Sequence, residues 1–378
     1  MSDTPFNFLI YSSIAECDPI LWNNLVQENN PFVRHEFFAS LEKGKCITAK
    51  TGWHPQYFIL SKNGQYLSAF FCFLKLDSYG EFIFDWEWAR AFEQYQIPYY
   101  PKLTTAIPFS PITAPKFLGD PDLFANQLLP KVMDFYKKHE FSSFHLLFTN
   151  QLENNIFQKL DFKQRDSFQY HWQNNNYNSF EDFLAVLKKN RRKSIKRERR
   201  AVAHLKYKEL RGDEIGQEDL DFFYDNYLGT IDKKFSQAYL SYDFFKTLFE
   251  SLPENTILLQ ALEPESDQII ANALYLVSDQ RLYGRYWGCS KEIEFLHFEL
   301  CLYRGLEIAI RDKLTVFEAG AQGEHKRLRG FRPIKTKSLH HIKHPQFAEA
   351  IYDFIDREKD GIEQLFDQFE EISPYKQT

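Results

Sequence analysis

Two carboxylates and a histidine carry the first chemical signal in this 378-residue chain. In the segment FLHFELCLYRGLEIAI, a helical period gathers Phe295, Phe298, Leu302, Leu306 and Ala309 on one apolar face, and Glu299 falls among them. An acid in that position must be paired, coordinated or raised in pKa, because a lone buried carboxylate is strongly disfavoured. Glu299 is therefore either half of a structural ion pair, for instance with Arg285, or a catalytic carboxylate. Glu318 lies in the strand candidate TVFEAGA, where simple alternation places it on one face with Val316 and Gly320. That strand runs into the loop QGEHKRLRGFRP, which holds Gln322, His325, Lys326 and Arg329. Strand ends that open into polar loops are where α/β folds keep their sites, although exposed loop charge is the plainer reading of Lys326 to Arg329. The preceding strand, LYGRYWG, puts Arg281, Tyr283, Arg285 and Trp287 on one side, as a cationic partner for either acid.

A second signal is electrostatic. The chain has 46 basic and 52 acidic residues, yet KKNRRKSIKRERRAV (Lys188 to Val202) holds nine cations and one acid. Ser179 and Asp182 have the spacing of a capping box, which predicts a single basic helix over about 180–203. Phe180, Leu184, Leu187, Ile195 and Val202 form a thin apolar seam along it. The remaining circumference is either a solvated face or a phosphate-binding surface in which Arg191, Arg192, Lys196 and Arg200 are the candidates, for RNA, an anionic substrate or an anionic lipid head group. No aromatic residue suited to base stacking interrupts the run.

Other chemistries lack their motifs. His297 and Glu299 point apart on a helix and no HExxH occurs, so no metal site is expected. There is no GxSxG elbow, no GxxxxGK[ST] loop and no GxGxxG opening a helix. The five cysteines are scattered without a CxxC pair, the pattern of reduced cytoplasmic thiols. No stretch is apolar and long enough to span a bilayer, and nothing points to DNA.

The elements that must position these residues form two successive modules. Asn63-Gly64 between Gln56–Leu60 and Gln65–Leu74 is a hairpin signal. A helical pattern over Leu123–Lys138 then leads to an apolar strand, Phe144–Phe148. Downstream, a hairpin over 256–277, the strand LYGRYWG, the Glu299 helix and the strand TVFEAGA repeat that order. This predicts two α/β (α+β) domains, 1–165 and 166–378. The 38 Phe and 21 Tyr supply ample core and exclude a disordered chain.

The chain resembles a bacterial family of tandem GNAT-like proteins of peptidoglycan biosynthesis or recognition, related to the Fem-type aminoacyltransferases. The resemblance rests on PFVRHEFFASLE, TGWHPQYF, YGEFIFDWEWARA, IPYYPKL and PFSPITAP in the first half. In the second half it rests on SFQYHWQN, RRKSIKRERRAV, LYGRYWGC, FLHFELCLY and FEAGAQGEHKRLRGF. It implies two GNAT-like acyltransferase domains, each a mixed, mostly antiparallel sheet flanked by helices, with two central strands splayed apart to admit donor and amine. It implies acyl or aminoacyl transfer to an amine of a cell-wall precursor or related metabolite, from aminoacyl-tRNA or an acyl-CoA. The missing Q/RxxGxG/A loop argues against CoA. On this resemblance Glu318, Glu299 and His325 are the base and proton relay. Arg285 orients a carboxylate, Tyr283, Trp287 and Gln322 line the substrate, Lys326 or Arg329 meets donor phosphate, and N–H groups near Gly320 hold the oxyanion. Asp85, Trp86 and Trp88 become an acceptor-recognition surface, with ordinary aromatic core as the alternative. A noncatalytic module that recognises a precursor or polyanion is the competing function.

Overall fold

The computed structural model describes residues 5–233, 237–320, 323–371 and 373–376. Its strands in chain order are β1 (Asn7–Tyr11), β2 (Trp53–Lys62), β3 (Gln65–Lys75), β4 (Lys102–Thr105), β5 (Phe117–Gly119) and β6 (Ser143–Thr149), then β7 (Lys163–Gln173), β8 (Lys206–Arg211), β9 (Thr256–Leu262), β10 (Ile269–Val277), β11 (Arg281–Cys289), β12 (Val316–Glu318) and β13 (Arg332–Ile342). Two compact units result. One comprises 1–167, 239–244 and 335–363, and the other 168–238, 245–334 and 364–378. The contiguous division at 165/166 expected from the sequence therefore needs correction. Two later segments belong to the first unit because their backbone and side-chain partners lie there: β13 pairs with β6, and Ser241 donates to the Gly44 carbonyl.

Within the first unit the sheet order is β1-β2-β3-β4-β6-β13, with β5 on β3. Within the second it is β8-β9-β10-β11-β12-β7. The two orders share one design: four antiparallel strands, one parallel pair (β4 with β6, β11 with β12) and an antiparallel closing strand. The first unit's closing strand, β13, comes from late in the chain, whereas the second unit's, β7, precedes the rest of that unit. Both units have the mixed, mostly antiparallel α/β architecture expected from the sequence.

Local sequence explains most elements. Asn63 and Gly64 both adopt positive φ (53° and 75°), as a tight hairpin between β2 and β3 requires. The helix Leu129–Lys138 turns Leu129, Val132, Met133 and Tyr136 inward, onto a core with Phe58, Phe70, Phe144 and Leu146. In the second unit Tyr275, Leu282, Leu306 and Phe317 share one core with Ile195 and Val202. One helix differs from expectation. Ser179 does cap a helix, accepting from the Asp182 N–H, but that helix is only Phe180–Val186, and the basic helix Lys189–Ala201 is separate. Leu187 between them is extended because Leu187 bridges to Tyr375, the Lys188 N–H donates to the Pro374 carbonyl and the Lys376 N–H donates to Val186.

The first unit also buries an ionic cluster. Lys102, fully enclosed, donates to Glu81, Asp85 and Ser78, and the Tyr99 hydroxyl donates to Asp85 at 2.6 Å. Burial pushes Glu81 up to about 7, against the pull of Lys102. Burial would raise Asp85 too, but the Lys102 ammonium holds it down at about 2. Removing one member of such a cluster leaves buried charge uncompensated. Replacing Lys102 with Met should lower stability by about 3–5 kcal/mol, read as a fall in the denaturant midpoint. A midpoint within experimental error of the parent would contradict this account.

Candidate functional site

The central feature of the second unit is the place where its parallel strands part. β11 and β12 pair over three positions only, Arg281 with Val316, Leu282 with Phe317 and Tyr283 with Glu318. β12 then ends, while β11 continues to Cys289. At the same level β11 takes a β-bulge, since Leu274 faces Tyr286 but Tyr275 faces Gly284, leaving Arg285 as the extra residue. Bulges of this kind re-aim side chains next to sites. Gly320, with φ of 84°, turns the chain away from β12 in a conformation an L-residue rarely adopts. The expected splay of two central strands is thus present here.

Glu318 stands at this divergence, buried. Its Oε1 accepts from Arg281 Nη1 at 2.8 Å, and its Oε2 has no hydrogen-bond partner among the described residues. His171 Nε2 lies 3.8 Å from that Oε2, and burial holds the imidazole below its usual pKa despite the nearby carboxylate. Lys326 is the second notable group. It is buried, its Nζ donates to the Gly320 carbonyl at 2.7 Å, and burial holds its ammonium down at about 8. His325 is half-buried against Phe298, its Nε2 lacks a partner among the described residues, and burial with the Arg329 and Lys326 charges lowers its pKa. Tyr283 is buried in β11, and Trp287 is half-buried with its ring 5.3 Å from that of His297. Gln322 lies outside the described residues.

Two expected roles change. Glu299 pairs with Arg199 (3.1 Å) and Arg304 (3.2 Å), not with Arg285, whose guanidinium lies over the Tyr286 ring. Arg199 also donates to Glu307, so Glu299 is one anchor by which the basic helix docks. Arg329 does not face outward to phosphate. Its guanidinium grips Glu198 through two hydrogen bonds (3.0 and 2.9 Å), bonds the His325 carbonyl and stacks on Phe298 at 3.5 Å. Glu198, the single acid of the basic run, also accepts from the Tyr303 hydroxyl. The loop carrying His325 and Lys326 is thereby fastened to the inner face of the basic helix.

The outer face of that helix carries the cations. Lys189, Arg192, Lys193, Lys196, Arg197 and Arg200 line a recess of about 530 Å³, and Lys196 reaches Glu181 at 2.8 Å. Arg191 is half-buried beside them.

In the first unit, Asp85 is buried in the Lys102 cluster, and Trp86 is half-buried against Tyr79. Trp88 is core, edge-on to His340 and beneath the Arg165 guanidinium, so the three residues do not form one surface. Here the parallel strands also part, after Thr105 and Leu146, but Lys116 donates from that position to the Phe148 and Ala114 carbonyls.

Sequence reasoning missed His171, Glu198, Lys102 and Lys116. A lone acid within a basic run was a usable sign for Glu198. His171 lies inside SFQYHWQN but carries no local pattern of its own.

No curated protein matches this chain. Among solved structures, FemX is similar at 10% identity, covering 92% of this chain and 100% of its own, with a TM-score of 0.54. The C-terminal domain of a putative lysylphosphatidylglycerol synthetase from Agrobacterium fabrum shares 9% identity over 91% of this chain and 97% of that one, TM-score 0.53. A conserved protein of unknown function from Bacteroides thetaiotaomicron shares 13% over 90% and 100%, TM-score 0.50. At such identities the likeness is one of fold. The family model described as FemAB-like, peptidoglycan biosynthesis/recognition, matches residues 13–377, and the chain belongs to that family.

Proposed function

We propose that this protein transfers an acyl or aminoacyl group to an amine of a cell-wall precursor or related metabolite, with the chemistry in the second unit where β11 and β12 part. The observation that carries the reading is Lys326, a buried lysine in the turn Glu324–Arg329 whose Nζ reaches back to the Gly320 carbonyl and whose pKa burial holds down at about 8. Amide formation needs a group to take the proton released as the amine attacks the acyl carbon, and a donor for the oxyanion that forms. Neutral Lys326 takes that proton and, as an ammonium, donates to the oxyanion; as the tetrahedral intermediate collapses, the bond from the acyl carbon to the donor oxygen breaks and the proton passes to that leaving oxygen. Glu318, fixed by Arg281 through Oε1, orients the incoming amine through Oε2, with His171 beside it. His325, kept neutral, is placed to relay a proton.

The donor on this reading is a phosphate-rich molecule of the aminoacyl-tRNA kind, held by Arg191, Arg192, Lys196 and Arg200. The Arg329–Glu198 pair couples that surface to the Lys326 loop. The noncatalytic alternative keeps the same polyanion contact without turnover.

Replacing Lys326 with Met should lower kcat by about 10²–10⁴ with little change in donor affinity. Because deprotonated lysine is the active form, the parent rate should rise with pH through about 8, and this limb should vanish in the variant. Unchanged turnover and pH profile in K326M would remove the catalytic assignment. Separately, the triple change Arg192→Glu, Lys196→Glu, Arg200→Glu should weaken tRNA binding and flatten its dependence on log[salt] by about three units of slope. Equal affinity and slope in filter binding would discard the polyanion surface.

A further inference from the structure

The first unit carries a loop whose burial pattern is inverted. In the stretch Glu81–Asp85 the two acids are 3% exposed, while Phe82 and Phe84 are 38% and 64% exposed. Of the nine large apolar side chains exposed among the described residues, four lie within Leu76–Phe84: Leu76, Tyr79, Phe82 and Phe84. Exposed single apolar residues are ordinary, but a run of them on one loop marks an interaction surface. Phe82 also sits at φ of 61°, an unfavourable region for a bulky side chain, and such strain persists only where the surroundings impose it.

The surroundings do impose it. The Phe84 carbonyl accepts from Arg165 at 2.8 Å, and Arg165 is itself clamped by Glu358 and stacked on Trp88. The Tyr79 carbonyl accepts from Trp53 and Lys75, and the Gly80 carbonyl from the Phe109 N–H. Inward, Glu81 and Asp85 are neutralised by Lys102, and Asp77 is tied to Lys75. A rigid scaffold therefore presents rings outward while Glu81, Asp85 and these carbonyls are used internally.

We propose that this loop inserts into the interface of a lipid bilayer, as a peripheral contact distinct from the basic helix. The argument for a bilayer over a protein or sugar is the character of the outer face. Leu76, Phe82 and Phe84 offer no hydrogen bonds, so the surface gains by leaving water but has little means of reading a directional partner. Tyr79 and Trp86, stacked edge to face at 4.9 Å, are the amphipathic ring types that favour the boundary between head groups and chains. No lysine or arginine lies between Leu76 and Ala89, and the exposed Glu87 beside Trp86 is paired with Arg90 at 2.9 Å, so the contact does not depend on anionic lipid.

The test is sedimentation of the full chain with phosphatidylcholine vesicles at physiological salt. The parent should bind, and the double variant Phe82→Ser/Phe84→Ser, its melting temperature unchanged because both rings are exposed, should bind at least about tenfold more weakly. Brominated lipid should quench emission in the parent and do so less in Trp86→Phe. Failure to bind neutral vesicles overturns the proposal, and so does binding to anionic vesicles alone that survives the double variant. Self-association abolished by the double variant without vesicle binding would instead make the loop a protein contact.

Discussion

The arrangement of the second unit depends on one buried ion pair. Glu198 lies in a helix where every other charged residue from Lys189 to Arg200 is a cation, and Arg329 closes the turn that follows β12. Their two hydrogen bonds, with Tyr303 bonded to both, convert a helix that repels itself into one with a fixed inner face. Ile195 and Val202 bury beside Glu198, and apart from Arg199, which pairs with Glu299 and Glu307, most of the cations turn to the outer circumference. The same pair sets the turn Glu324–Arg329, and through it the positions of His325 and Lys326. Breaking a pair this deeply buried typically costs about 3–5 kcal/mol, far more than a surface salt bridge contributes, so the geometry of the candidate site and of the basic face are settled together.

Comparison of the two units shows what distinguishes a site from a scaffold. Both sheets part after a three-position parallel pairing, and in both a lysine ammonium meets the gap. Lys116 is fully buried and donates to two carbonyls, while its own backbone N–H is held by Glu153. The Lys326 ammonium has a single hydrogen bond among the described residues, to the Gly320 carbonyl. An ammonium has three donors, so Lys326 retains capacity for a reacting group where Lys116 is spent on closing its own strand. A filled divergence stabilises the first unit, while the other has a titratable amine bonded to the Gly320 carbonyl and, at the end of β12, a carboxylate oxygen without a hydrogen-bond partner among the described residues.

Much of this was legible locally. The hairpin at Asn63-Gly64, the Ser179 cap, the pairing of Glu318 with an arginine of β11 and the burial of Glu299 all follow from neighbours within one element or the next. What escaped depends on partners far along the chain. The break at Leu187 needs Pro374 and Tyr375, the partner of Glu299 is Arg199, and β13 completes a sheet begun by β1. No periodicity encodes such distances. Arg329 shows the commonest error: a cation in a glycine-flanked loop reads as exposed, and only the acid facing it across the fold makes it structural.

The same logic applies to both regions where polarity is inverted. A basic helix with its one acid turned in, and an aromatic loop with its two acids turned in, each spend carboxylates on the interior and leave a uniform outer face. Stability alone would favour the reverse, with acids in water and Phe82 and Phe84 in the core. Local rules are broken where function requires it and compensated nearby, here by Lys102 and Arg329. The two outer faces then differ in kind: one is cationic and suited to phosphate, the other mostly apolar, with Glu87 and Arg90 paired at its edge.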